Sequence, residues 1–285
     1  MLASFVLSLM ALLINLHGQY LHIKQILLVR QIGMTIMVAP AILRNFPGAL
    51  HAERPGLQLI RVFCALVAML FGFTAVIHMP LADATAIFFA KSFFVTIFAV
   101  LFLAETVGLY RWGAVLIGFI GVLIMLQPGT DNFTIYGLAS LVGAAGAAGV
   151  MILLRLLSRS DSAATIMTYG ALGVGVVMTI PGIYYWQQPT PTQWLLLAGV
   201  AVVSYYGKKC NIFAYKHGEA SLLASLDYVR LLWATLFGFL IFDQFPGLST
   251  WIGAVIVVSA AIFMIYRETR RKLKWGADAS SNAAG

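Results

Sequence analysis

Residues 72–129 and 210–268 read as two copies of one apolar stretch of chain. Aligned on Ala82 and Ala220, the first copy contains PLADATAIFFAKSFFVTIFAVLFLAE and the second GEASLLASLDYVRLLWATLFGFLIFD. Each ends in one acidic residue, Glu105 or Asp243, and after a short polar break Gly-Ala-Val opens the next apolar run, at Gly113 and at Gly253. Upstream, Met37-Val-Ala-Pro40 is echoed by Met178-Thr-Ile-Pro181. A duplicated chain must build the same set of elements twice. Duplication of nearly uniform apolar sequence is the pattern of secondary transporters.

The solvent of such a chain is lipid. Of its 285 residues 61% are apolar and 10% charged, too apolar for the surface of a soluble fold of this size. A bilayer span takes about 20 apolar residues, so the length fits roughly ten spans. The apolar runs are continuous rather than alternating, which favours helices over a barrel. Apolar runs and polar breaks predict helices near 2–20, 25–44, 57–78, 82–104, 110–127, 134–157, 163–186, 193–214, 219–242 and 249–266. The expected fold is therefore an all-α membrane protein with ten transmembrane helices in two five-helix repeats, residues 1–132 and 133–268, followed by a basic and then disordered cytoplasmic tail, 269–285. Cys64 and Cys210 lie within apolar runs and read as core residues rather than a disulfide. The first run, Leu2 to Leu16, lacks the basic flank and cleavage site of a signal peptide.

Lys and Arg set the orientation. With both termini cytoplasmic, that side collects Arg44, Arg54, Arg61, Arg111, Arg155, Arg159, Lys216 and the tail cluster from Arg267 to Lys274, while the other collects Lys24 alone. The net charge of +8 is then a topology signal that also attracts anionic lipid, not a nucleic-acid footprint. Trp112, Trp186, Trp194 and Trp251 fall at predicted span ends, where indoles favour the interface. Five helices per copy is odd, so the copies enter the membrane from opposite faces and form an inverted repeat. Matching Arg30 to Tyr169 places Met1 opposite Ser140, inside helix 6. This predicts a shortened helix 1 or a true start upstream of Met1.

Ionisable residues inside spans are functional candidates because each costs at least about 2.5 kcal/mol on insertion scales. Lys91 lies mid-span among Phe88, Phe89, Phe93 and Phe94; Asp227 and Arg230 lie mid-span three residues apart, on one helical face. The repeat matches Lys91 to Val229, beside Arg230, so both halves place a cation at one depth. Two cations and one anion leave positive charge for a substrate carboxylate or phosphate. The competing reading is that Asp227 pairs with one of them and ties two helices together. Trp233, one turn beyond Arg230, either stacks on cargo or packs. Lys208 and Lys209, late in helix 8, and Arg30, early in helix 2, either snorkel to a surface or face a cavity. His78 and His217 match in repeat position and read as turn residues, with proton relay as the alternative. Gly143, Gly146 and Gly149 read as a packing face, with sliding during gating as the alternative. Pro40 and Pro181 are expected to bend their helices.

On these residues the chain resembles the EamA-type family of the drug/metabolite transporter superfamily over nearly its whole length. The resemblance is carried by Ala82-Asp-Ala-Thr-Ala-Ile87 through Leu103-Ala-Glu105, Gly113 to Pro128, Ala224-Ser-Leu-Asp-Tyr-Val-Arg230 through Phe242-Asp243, Ile26-Leu-Leu-Val-Arg30 and Leu156-Leu-Ser-Arg159-Ser-Asp161. It implies a central cavity lined by helices 1–4 and 6–9, helices 5 and 10 at the periphery, and alternating access without ATP. The family often has proline where Ser92 stands and glycine where Ala104 stands. The resemblance names no cargo.

The expected function is a secondary active transporter in the cytoplasmic (inner) membrane for a small anionic or zwitterionic metabolite, such as an amino acid or vitamin. Lys91, Asp227, Arg230, Trp233, Lys208 and Arg30 are the candidate substrate residues. The expected partners are the substrate, the bilayer and a coupling proton, with no cofactor or metal, in a monomer or homodimer. The alternatives are export of amphipathic or cationic compounds, or a non-transporting sensor or assembly subunit. The sequence holds no His-Glu-x-x-His, no Gly-x-Ser-x-Gly and no mid-span pair of acids, so an intramembrane enzyme is not expected.

Overall fold

The computed structural model describes residues 2–44, 51–104, 108–127, 134–157, 160–217, 229–260, 262, 263 and 266. Among these residues the secondary structure is helical throughout, with no strand. The helices are α1 (Leu2–Gly18), α2 (Ile23–Arg44), α3 (Pro55–His78), α4 (Leu81–Phe88), α5 (Lys91–Leu103), α6 (Leu109–Leu126), α7 (Ile135–Leu157), α8 (Ala163–Tyr184), α9 (Pro191–His217), α10 (Val229–Phe242) and α11 (Leu248–Ala260). Pro55–His78, Leu81–Leu103, Ile135–Leu157 and Thr165–Tyr184 are long and apolar enough to cross a bilayer. Their lipid-facing character shows in what they expose: Ile180 is 80% and Phe63 65% accessible, a surface that water would not tolerate.

Local chemistry sets the helix ends. Pro55 opens α3 at a position where its missing N–H costs no helical bond. Ser162 caps α8, its hydroxyl accepting from the Thr165 N–H at 3.1 Å. Ala104 and Gln127 close α5 and α6 in the left-handed region, at φ 52° and 47°, and Asp243 follows α10 at φ 51°. The residue expected to end helix 4, Glu105, and the tail 269–285 lie outside the described residues.

The span over 82–104 is not one continuous helix. At Phe89 and Ala90 the backbone N–H groups turn back three residues, to Ala86 O at 3.2 Å and Ile87 O at 3.0 Å, and Ser92 and Phe93 do likewise to Phe89 O and Ala90 O. This tight turn divides α4 from α5 and re-aims everything after it, because each residue of a 3₁₀ turn rotates the chain by about 120° instead of about 100°. With neither Pro nor Gly between Leu81 and Leu103, the break is invisible to sequence punctuation.

Packing is closest between α3 and α7. A Cβ on Gly143 would lie 2.7 Å from the Gly72 nitrogen, and one on Gly146 2.8 Å from the Ala68 nitrogen. The two backbones meet directly, which is how helices associate in lipid. Elsewhere α1 lies on α9, α2 on α8 and α9, α3 on α8, α4 and α5 on α7, and α10 on α1 and α4. Among the described residues, buried apolar side chains gather in four clusters rather than one core. One joins α4, α5, α6, α7 and α11, a second α1, α3, α4 and α10, a third α1, α2 and α9, and a fourth α2, α3 and α8. The third and fourth share α2, the helix that carries Arg30.

Candidate substrate site

Arg30 lies two turns into α2 and is 2% exposed. Its Nε donates to Ser204 Oγ of α9 at 2.9 Å and one terminal nitrogen to the Met69 thioether of α3 at 3.5 Å; its guanidinium carbon sits 5.8 Å from the centre of the Phe73 ring. A hydroxyl, a sulfur and a ring face are its partners; among the described residues no carboxylate meets it. Burying an ion without a counter-charge costs several kcal/mol even after relaxation, and five N–H donors exceed what one hydroxyl and one thioether can accept. Of the two readings that the sequence left for this residue, snorkelling is corrected: a 2% exposed guanidinium held by α3 and α9 faces the bundle interior.

Lys91 opens α5 just after the tight turn and is partly buried, its ammonium 5.9 Å from the Phe88 ring centre. Phe88 itself borders Gly72 of α3. Arg230 lies in α10, partly buried, with its carbonyl accepting from Ser8 Oγ of α1 at 3.2 Å. Trp233 is set edge-on to Phe5 of α1, 5.0 Å between ring centres, and stacks along Phe237; its indole N–H is buried without a hydrogen-bond acceptor among the described residues. Arg30 and Trp233 thus belong to different contact groups, the first on α2, α3 and α9 and the second on α1 and α10. Lys208 lies in α9 beside exposed Lys209, and Asp227 lies outside the described residues.

Other buried polar groups mark the two ends of this interior. Where α3 begins, Asp161 accepts from Gln58 Nε2 at 2.6 Å and from the Glu53 N–H at 3.0 Å, and Gln58 Oε1 accepts from Arg61 Nε at 3.2 Å. Arg61, counted from the sequence among the flanking topology charges, is 8% exposed and tied to the Ile166 carbonyl of α8 at 2.6 Å. At the other end, Gln25 exchanges two bonds with the Gln187 backbone, at 2.7 and 3.0 Å. His22 stacks on Tyr185 at 4.2 Å, and the Lys24 ammonium lies 4.1 Å from the same ring centre. Burial, and then the charge of Lys24, hold the His22 imidazole below the ordinary histidine pKa. His78, expected in the turn after the third helix, is instead the last residue of α3, with its ring stacked on Tyr136 at 4.4 Å. Sequence reasoning alone does not single out Gln31, Gln58 or Ser204; an amide inside an apolar run is the signal for the first two.

An apolar exterior around buried cations defines a multi-pass membrane protein with a polar centre. The EamA-like transporter family matches residues 134–266. A riboflavin transporter of Vibrio cholerae serotype O1 is 31% identical over 225 residues, 78% of this chain and 76% of that one. An S-adenosylmethionine uptake transporter of Rickettsia prowazekii is 27% identical over 89% of this chain and 86% of its own. A pseudopaline exporter of Pseudomonas aeruginosa is 28% identical over 92% of each. A crystal structure of another protein, 17% identical, superposes with a TM-score of 0.62 over 91% of this chain and 95% of that one, which shows a shared fold. The chain belongs to the EamA-like transporter family and is a transporter of small metabolites.

Proposed function

We propose that this chain is a secondary carrier of the cytoplasmic membrane, both termini cytoplasmic, moving a small anionic or zwitterionic metabolite by alternating access. The observation that carries this reading is the Arg30 guanidinium, buried mid-bundle against Ser204, Met69 and Phe73 with no carboxylate partner among the described residues. A substrate carboxylate or phosphate supplies the missing charge, and Phe73 and Met69 offer an apolar wall beside it. Lys91 and Arg230 add positive potential, Asp227 orients Arg230 or a substrate amine, Trp233 closes the apolar side, and Lys208 serves the path from α9.

Helix contacts support two inverted halves. A twofold that exchanges the repeats carries the α3–α7 contact onto α9–α1, α3–α8 onto α9–α2, and the α4/α5–α7 contact onto α10–α1, while α2–α8 maps onto itself; all of these contacts occur. Reciprocity of this kind lets one half rock against the other around a site on the axis.

The relatives span import and export, so direction is open to test. Uptake by reconstituted vesicles of riboflavin, S-adenosylmethionine and a set of amino acids and carboxylate vitamins is expected to select an acidic or zwitterionic compound. Selection of an uncharged or purely cationic compound, untouched by Arg30→Gln, overturns the anionic reading in favour of the amphipathic or cationic alternative.

A further inference from the structure

Gly170 of α8 is approached from two sides. A Cβ there would stand 3.1 Å from a terminal nitrogen of Arg61, so the bare glycine leaves the guanidinium its place. Its carbonyl accepts from Gln31 Nε2 at 3.2 Å, and the same nitrogen donates to the Ala171 carbonyl at 2.7 Å. Gln31 is wholly buried, yet its Oε1 accepts no hydrogen bond among the described residues. Turning the amide over would set that oxygen against two carbonyl oxygens, so the orientation is fixed and the acceptor stays open. A buried acceptor left open costs about 1–3 kcal/mol, and a native fold retains one where something else supplies the donor.

The charge balance at the same place is also incomplete. Asp161 is the acid nearest along the network, but both its oxygens are engaged elsewhere, by Gln58 and by the Glu53 N–H. The Gln58 amide stands between Asp161 and Arg61, so the Arg61 guanidinium bonds to an amide oxygen and a backbone carbonyl rather than to a carboxylate. Arg61 is six residues into α3, roughly 9 Å along the axis, and Met69, which touches Arg30, lies about 12 Å further on. Counted in depth from the end where α3 begins, Arg61 comes first, and Gln31 and Arg30 follow as neighbours on α2.

We propose that Arg61 and Gln31 form, around Gly170, a second subsite for the carried molecule, between one membrane surface and Arg30. Arg61 takes an acidic group and Gln31 Oε1 accepts an adjacent N–H, which narrows the cargo to acids that carry an N–H, as amino acids do. This rests on the carrier reading above, and it assigns the subsite to one side of the membrane only.

The test uses the full chain with Cys64→Ala, Cys210→Ala and Gln31→Cys, in oriented vesicles, probed with sulfonate-bearing and trimethylammonium-bearing methanethiosulfonates. From the side where α3 begins, the sulfonate reagent is expected to react about tenfold faster, as in clefts lined by one sign of charge. Arg61→Gln brings that ratio to about one, and Arg61→Lys, which keeps the charge, preserves most of it. Equal rates, no labelling from either side, or a ratio indifferent to Arg61→Gln overturns the subsite. Loss of the ratio with Arg30→Gln but not with Arg61→Gln removes the subsite and leaves the Arg30 anchor standing; transport by the parent chain that is unaffected by Arg30→Gln removes the anchor, whatever the labelling ratio. With Gln31 intact and the cysteine at Ala171 instead, glycine is expected to slow labelling more than betaine, which has the acid but no N–H. Equal slowing, or none, takes Gln31 out of the assignment.

Discussion

Single residues carry the chemistry here because lipid punishes every unpaired charge and every strained turn that has no function. Arg30 and Lys91 stood out in the sequence for that reason: a cation inside an apolar run is legible without any fold. What a linear reading lacks is the direction in which a side chain leaves its helix. Arg61 shows the gap. Its place near the start of α3 made it a flanking charge, whereas the fold turns it inward onto α8. Ala104 shows a second kind of information. The family that the chain resembles often has glycine at this position, and the backbone explains it, since Ala104 sits at φ 52°, where a Cβ is strained. Ala104→Gly is accordingly expected to raise stability by about 1 kcal/mol, the usual relief of a non-glycine residue in this region, seen as a higher midpoint in thermal unfolding. An unchanged or lower midpoint would mean that the strain is taken up elsewhere.

At the scale of elements, the glycines of α7 illustrate how far composition reaches. Gly143, Gly146 and Gly149 were recognisable as a packing face; that the face opposite them is the backbone of α3 at Gly72, Ala68 and Cys64 required coordinates. Gly146→Leu is expected to abolish or sharply reduce the folded, monodisperse fraction, because overpacking where only backbone can yield costs about 1–3 kcal/mol or more. Gly113→Ala on α6, where nothing lies within 4 Å of the new Cβ, is expected to be neutral or stabilising in the same assay. The division of α4 from α5 beside Lys91 was not legible, because it has no Pro or Gly to announce it and arises from tertiary packing of Phe89, Ala90 and Phe93.

The α1–α2 turn makes a pH-dependent contribution whose sign follows from His22. A folded-state pKa below the ordinary value of 6.5 means that the unfolded chain binds the extra proton more readily. The stability that His22 contributes is present above that pH and is lost as pH falls through the depressed value. Thermal midpoints measured from pH 7.5 down to 5 should therefore drop less in His22→Gln than in the parent chain; an equal drop would assign the dependence to other groups.

For the whole molecule, the helical class and the membrane setting were readable, because continuous apolar runs need no side-chain geometry to be recognised. How the interior is divided was not, since the separate apolar clusters seen among the described residues and the polar groups between them depend on which faces meet. The proposed carrier mechanism turns on Arg30 being an ion kept for cargo. The direct measurement is transport by purified chain in vesicles, comparing the parent with Arg30→Lys and Arg30→Gln for the selected substrate. Arg30→Gln is expected to raise the half-saturation concentration by about tenfold or more, as removal of a charged hydrogen-bonding partner costs about 1.5–3 kcal/mol, with Arg30→Lys intermediate and the folded yield retained in both. Half-saturation unchanged in Arg30→Gln, in well-folded protein, would contradict it.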